Sequence, residues 1–173
     1  MEHETCRACG FDGADYDDAA VLARLRALGP AWRAVLDGAC AELRVRPAEG
    51  VWSAIEYAAH SRDITALHAF GVEQALTHDE PVFPAVDPGL ADAAAVAYNT
   101  ADPDDVAAAL DAASAQLAAH AEHAGTDTWS RGLTLGDDRV DVRRLLEHAL
   151  HDSAHHLDDV ERGLAQLRAR PVE

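Results

Sequence analysis

Spaced at three to four residues, apolar side chains recur through four stretches of the chain. These run from about Tyr16 to Arg44, from about Val51 to Thr77, from Asp102 to Gly125 and from about Val142 to Arg168. Within the first, the run LGPAW places Gly29-Pro30 where a helix is expected to kink or split, because proline removes a backbone donor and crowds the preceding turn. The third has clear punctuation: Asp102 is an N-cap, Pro103 takes the first helical position, acidic residues fill the first turn and Gly125 stops it. Between the second and third lies HDEPVFPAVDPGL, rich in Pro and Asp and read as irregular, followed by the alanine-rich LADAAAVAYNT. Extended structure is expected only around GLTLGDDRV. The pattern predicts an all-α protein, a four-helix bundle of long helices with one long irregular linker between helices two and three. Residues 15–173 form the bundle, and residues 1–14 form an N-terminal arm carrying a Cys-x-x-Cys pair.

The polar exceptions to these stripes are more telling than the stripes. In the last helix Leu145, Leu146, Ala149, Leu150, Leu157, Val160, Leu164 and Leu167 share a face, at about 100° per residue. Ser153 falls in its middle, His156 lies within it and Asp152 sits on its edge one turn earlier. His148, His155 and Asp159 lie on the flank, and His151 points away, towards solvent. The pairs His151/His155 and Asp152/His156 both have the i, i+4 spacing of helical metal ligands, but only Asp152/His156 faces inward. In the second helix Trp52, Ile55, Ala59, Leu67 and Phe70 define the apolar face, with Glu56 and Asp63 inside it and His60 on its shoulder. Burying a polar group unpaired costs about 1–3 kcal/mol, and an ionised one more. An inward set of Glu56, His60, Asp63, Asp152 and His156 therefore points to a cation among them, and bundle cores are where such sites are built. His120 and His123 need no such account, since they lie near a helix C-terminus that favours positive charge.

Composition narrows the possibilities. The net charge of −17 over 173 residues excludes nucleic acid and anionic membrane surfaces as partners. All 14 basic residues are Arg, so Schiff-base chemistry and a lysine-bearing phosphate loop are excluded. The first residues lack the layout of a secretory signal, no apolar run reaches membrane-spanning length, and three cysteines make no disulfide framework. A cytoplasmic protein is expected. Cys6-x-x-Cys9 followed by Gly10 has the spacing of half a zinc site, which closes only with four ligands. His3, a residue from elsewhere or the same pair of a second subunit would complete it; otherwise the pair sits reduced in a partly ordered arm. Cys40 is expected to be a small buried hydrophobe.

Two segments carry a family resemblance. WSAIEYAAH is similar to the W-x3-[EQ]-x3-H signature opening the second helix of DinB/YfiT-like proteins. HDSAHHLDDV resembles their fourth-helix motif, in which two ligands four residues apart precede an x-x-[QHD]-[IV] ending. The resemblance implies a four-helix bundle binding one divalent metal through three side chains. Trp52 places His60 on the first ligand, Asp159-Val160 place His156 on the last, and the middle ligand falls on Asp152, where many relatives have His. His155 or His151 substitutes if Asp152 turns away. Two histidines and one carboxylate suit Zn, Ni, Fe or Mn.

Three protein ligands leave an open coordination position, as catalytic metal sites do. Glu56 and Asp63, at i−4 and i+3 from His60, are candidate catalytic groups that orient it or move protons. The resemblance implies a metal-dependent small-molecule enzyme, foremost a thiol S-transferase or related transferase or isomerase with a low-molecular-weight thiol of the mycothiol type as co-substrate. The alternatives are a metal-dependent hydrolase, or a non-catalytic metal-binding module, dimeric and linked to stress or damage. A homodimer is expected in either case. The linker is long enough to act as a lid, with Phe83 and Tyr98 as candidate substrate contacts.

Overall fold

The computed structural model describes residues 3–39, 41–87 and 89–170, with 90–93 described by their backbone. Cys40 lies outside the described residues. The described residues hold five α-helices: α1 (Asp18–Gly38), α2 (Ala54–Thr77), α3 (Leu90–Thr100), α4 (Pro103–Ala124) and α5 (Val142–Arg168). Strands β1 (Val82–Phe83), β2 (Gly132–Leu135) and β3 (Asp138–Asp141) form one small sheet in the order β1-β2-β3.

The four long helices form the bundle. α1 and α2 each pack against both α4 and α5, so these two sequence neighbours sit across the diagonal. Local chemistry sets the helix starts. Asp17 accepts from the Ala20 amide at 2.7 Å, Asp102 from the Asp104 and Asp105 amides, and Asp141 from the Arg144 amide at 2.9 Å. α2 opens with a capping box in which Ser53 and Glu56 each satisfy the other's backbone. The core is filled by Val21, Leu25 and Trp32 of α1, Ile55 and Val72 of α2, Leu110 and Leu117 of α4 and Leu146 of α5, with Trp129 and Leu133 closing one end. Ser153, the polar break in the α5 stripe, accepts the Trp32 indole N–H at 2.7 Å, so the buried pair satisfies itself.

Several expectations are corrected. α1 runs through Pro30 without a break and ends at Gly38, short of Arg44. Pro30 lies on the exposed side, where water can pair the carbonyl it orphans. The adjacent Gly29 is buried because α4 approaches closely: a Cβ there would stand 2.8 Å from the Asp111 Cα. The linker is not irregular throughout. Val82-Phe83 pair in parallel with Thr134-Leu135, and the alanine-rich run is α3. β2 and β3 form the expected extended segment as an antiparallel hairpin whose turn holds Gly136 at φ 60°. On α2 the buried face carries Ala58, Thr65, His68, Ala69 and Val72, while Leu67, Phe70 and Asp63 are exposed. An alanine-rich helix that contacts α4 on one side and α5 on the other buries its small residues in the seams and leaves large ones at the edge.

The N-terminal arm is tied down. Residues 3–16 lie along α5 and the start of α1, held by a buried ion pair that periodicity did not reveal. Arg143 donates to Glu147 at 2.5 Å, to Asp18 at 2.6 Å and to the carbonyls of Gly13 and Tyr16. Glu147 also accepts from the Glu4 amide at 2.8 Å and lies 2.7 Å from His3 Nδ1. Burial would raise the Glu147 carboxyl, but these donors outweigh it and hold it below the usual carboxylate range. His151, expected to face solvent, is instead covered by this arm and stacks on Phe11 with ring centroids 5.2 Å apart.

Candidate metal centre

α2 and α5 run antiparallel, and their facing seam brings His60, Asp152 and His156 together. Asp152 Oδ1 lies 3.8 Å from His60 Nε2 and 3.6 Å from His156 Nε2, and one donor atom from each lies within 4.8 Å of the other two. Ligands about 2.0–2.1 Å from a tetrahedral zinc stand roughly 3.4 Å apart, so small side-chain movements would suffice to bind an ion. The side chains are 12%, 17% and 19% exposed for His60, Asp152 and His156, sheltered yet reachable from solvent.

The surroundings prepare these donors. His156 Nδ1 lies 3.0 Å from Asp159 Oδ2; with the proton on Nδ1, Nε2 carries the lone pair facing Asp152 and His60. Burial by itself raises the Asp152 carboxyl, but His60 and His156, with His148 farther off, outweigh it and keep the group below the usual carboxylate range. Aromatic rings collar the cluster: Trp52 meets His60 edge-on at 5.4 Å, Tyr57 packs on His156 at 4.9 Å, and Tyr98 lies 6.5 Å from His60. Burial, then Asp159, raises the Tyr57 hydroxyl, so it stays a neutral wall of the site.

Glu56 is buried as expected but its carboxylate is taken up by the start of α2 and by Arg46, whereas Asp63 lies at the exposed edge of the helix. Glu56 is 1% exposed, and its carboxylate accepts the Ser53 amide and hydroxyl, each at 2.7 Å, and a charged fork from Arg46. Burial raises that carboxyl, yet Arg46 and Ser53 together hold it low. It fixes the turn carrying Trp52 and thus the start of the helix bearing His60. Asp63 is half exposed, accepts from Arg62 at 2.7 Å and takes the Tyr98 hydroxyl at 2.9 Å. Burial and that bond push Tyr98 up to about 12, so Asp63 anchors α3 beside His60. His151 and His155 lie away from this cluster, on the α5 flank facing the arm.

An apolar cleft of about 540 Å³ adjoins the cluster in the same seam. Ile64, one turn beyond His60, and His148, one turn before Asp152, belong to its lining, with Phe70, Leu133 and the linker residues 83–87. Phe83 meets Phe70 edge-on at 5.7 Å, so the linker forms one wall of the cleft. His68 lines its floor, its Nδ1 donating to the Ile64 carbonyl at 2.7 Å. Burial, then the neighbouring His148, pushes His68 down to about 4 and keeps it neutral. The bond between His156 and Asp159 was not read from the sequence, although their i, i+3 spacing on one helix is the signal that could have found it. His68 and the cleft had no such signal, because the linker is held beside α2 by pairing with β2, which is distant in sequence.

A family model for the DinB superfamily matches residues 24–160. Among solved structures, YfiT from Bacillus subtilis, described as a probable metal-dependent hydrolase with an unusual four-helix bundle topology, is similar with a TM-score of 0.76. The two chains are 16% identical, over 88% of this chain and 90% of that one, a likeness that shows a shared fold. Among curated proteins nothing matches. The family match spans most of α1, all of α2, α3 and α4, and α5 as far as Val160, including the whole His60/Asp152/His156 cluster; the chain belongs to the DinB superfamily.

Proposed function

We propose that the chain is a metal-dependent enzyme acting on small organic molecules, most specifically a thiol S-transferase or related transferase. The observation that carries this reading is a three-donor, partly exposed cluster whose neighbours one helical turn away, Ile64 and His148, line an apolar cleft in the same helical seam. His60, Asp152 and His156 would hold a divalent ion, which supplies Lewis acidity at its open position and lowers the pKa of a water or thiol there. His60 and His156 present nitrogens, Asp159 holds the His156 ring in orientation, and Trp52 and Tyr57 limit water around the donors. The cleft takes an apolar substrate body, with neutral His68 as a polar contact at its floor. Glu56 and Asp63 act by positioning, through the α2 cap and the α3 anchor. Hydrolysis is the alternative reading, supported by the description of YfiT as a probable metal-dependent hydrolase.

The test uses reduced protein reloaded with zinc, nickel, iron or manganese. Metal content and turnover of a low-molecular-weight thiol with an apolar electrophile are measured, beside hydrolysis of apolar esters and amides. One divalent ion and the activity should disappear together in His60→Ala/His156→Ala. Full metal content in that variant overturns the site. Hydrolysis without thiol consumption overturns the transferase reading in favour of the hydrolase.

A further inference from the structure

The arm carries another constellation that the first cluster does not use. Thr5 bridges Asp12 in antiparallel fashion, the Cys6 amide donates to the Phe11 carbonyl at 2.8 Å, and the Gly10 amide donates to the Cys6 carbonyl at 2.9 Å. Gly10 closes the turn at φ 74°, a conformation open to glycine. The result is one tight knuckle bearing both Cys6 and Cys9.

Glu147 and Phe11 seat this knuckle on α5, over His151 and His155. One donor atom from each of Cys6, Cys9, His151 and His155 lies within 4.8 Å of the other three, and Cys6 Sγ is 4.0 Å from His155 Nδ1. A tetrahedral zinc holds sulfur and nitrogen ligands roughly 3.3–3.8 Å apart, so only a slight contraction is required. His151 Nδ1 lies 3.0 Å from Glu4 Oε1, while its Nε2 is buried without a hydrogen-bond partner. A ring nitrogen so placed, with a carboxylate behind the opposite nitrogen, has the outer-shell arrangement of a metal-bound histidine. Glu4 also groups with His148 and His151, but its other oxygen faces Arg144 at 2.6 Å and His148 at 3.4 Å, which suits a partner behind a ligand.

We propose that Cys6, Cys9, His151 and His155 form a second metal site, a closed two-cysteine, two-histidine zinc site that pins the N-terminal arm to α5. Four protein ligands leave no open position, so the site is structural, and binding zinc releases the two thiol protons to solvent. Asp159 stands behind both sites, with Oδ2 3.0 Å from His156 Nδ1 and 3.7 Å from His155 Nε2.

The test titrates reduced, metal-free full-length protein with cobalt(II), then displaces it with zinc. Wild type should show an intense thiolate-to-cobalt charge-transfer band that zinc abolishes. Cys6→Ser/Cys9→Ser, which keeps Cys40, should lose the band and one metal equivalent, whereas His60→Ala/His156→Ala should keep the band. In His151→Ala/His155→Ala the band should shift and metal affinity should fall at least tenfold. A missing band in wild type overturns the proposal, and so does a band unchanged in His151→Ala/His155→Ala. Hydrogen exchange on wild type needs no variant: zinc should slow the amides of residues 6–11, and unchanged exchange refutes the pinning of the arm.

Discussion

Lowering the pH from 7 to 5 should destabilise the metal-free fold through His68 in particular. Burial and His148 hold this ring at about 4, whereas an unfolded histidine titrates near 6.5. Between these values the unfolded chain binds the proton and the folded chain does not, so stability rises with pH. The His68 contribution is complete above about pH 6.5 and is lost progressively as the pH falls towards 4. For these two pKa values, the loss from pH 7 to pH 5 is about 1.8 kcal/mol. The assay is urea unfolding at both pH values, with chelator present, for wild type and His68→Gln. The variant will be less stable at pH 7, because it disturbs the bond to Ile64, but its pH 7-to-5 loss should be smaller by about 1.8 kcal/mol. His151, also lowered chiefly by burial, titrates in both proteins and cancels in the difference. Losses agreeing within roughly 0.5 kcal/mol would refute the assignment of a neutral, solvent-excluded His68.

Three further outcomes follow from the packing. Ser153→Ala strips the buried Trp32 indole of its acceptor and should cost about 1–3 kcal/mol in denaturant unfolding, whereas Ser114→Ala removes a buried hydroxyl without a partner and should be neutral or stabilising. Gly29→Ala should lower the thermal midpoint by several degrees despite alanine's better helix propensity, because the new Cβ meets the α4 backbone at Asp111; a rise would show that α4 yields. Asp159→Asn should weaken divalent binding at His60/Asp152/His156 by about 10–100-fold in competition with a chromophoric chelator, and unchanged affinity would show that the His156 orientation does not depend on this carboxylate.

The sequence by itself determined what is periodic and local. Helical phase at about 100° per residue turned Asp152 and His156 to one side of α5, and capping chemistry fixed the start of α4 at Asp102. The proline in α1 misled because its consequence depends on which side of the helix meets water, and Asp63 misled because the buried face of α2 is set by two neighbours rather than by its largest residues. Only the tertiary structure decided that Glu56 pairs with Arg46, that the linker roofs a cleft over His68, and that His151 lies under the arm instead of in solvent. Phase alone can assign a side chain to a face of its own helix, but what covers that face is fixed by segments distant in sequence. Cys6 and Cys9 reach His151 and His155 only because Arg143 and Glu147 fasten the arm across α5.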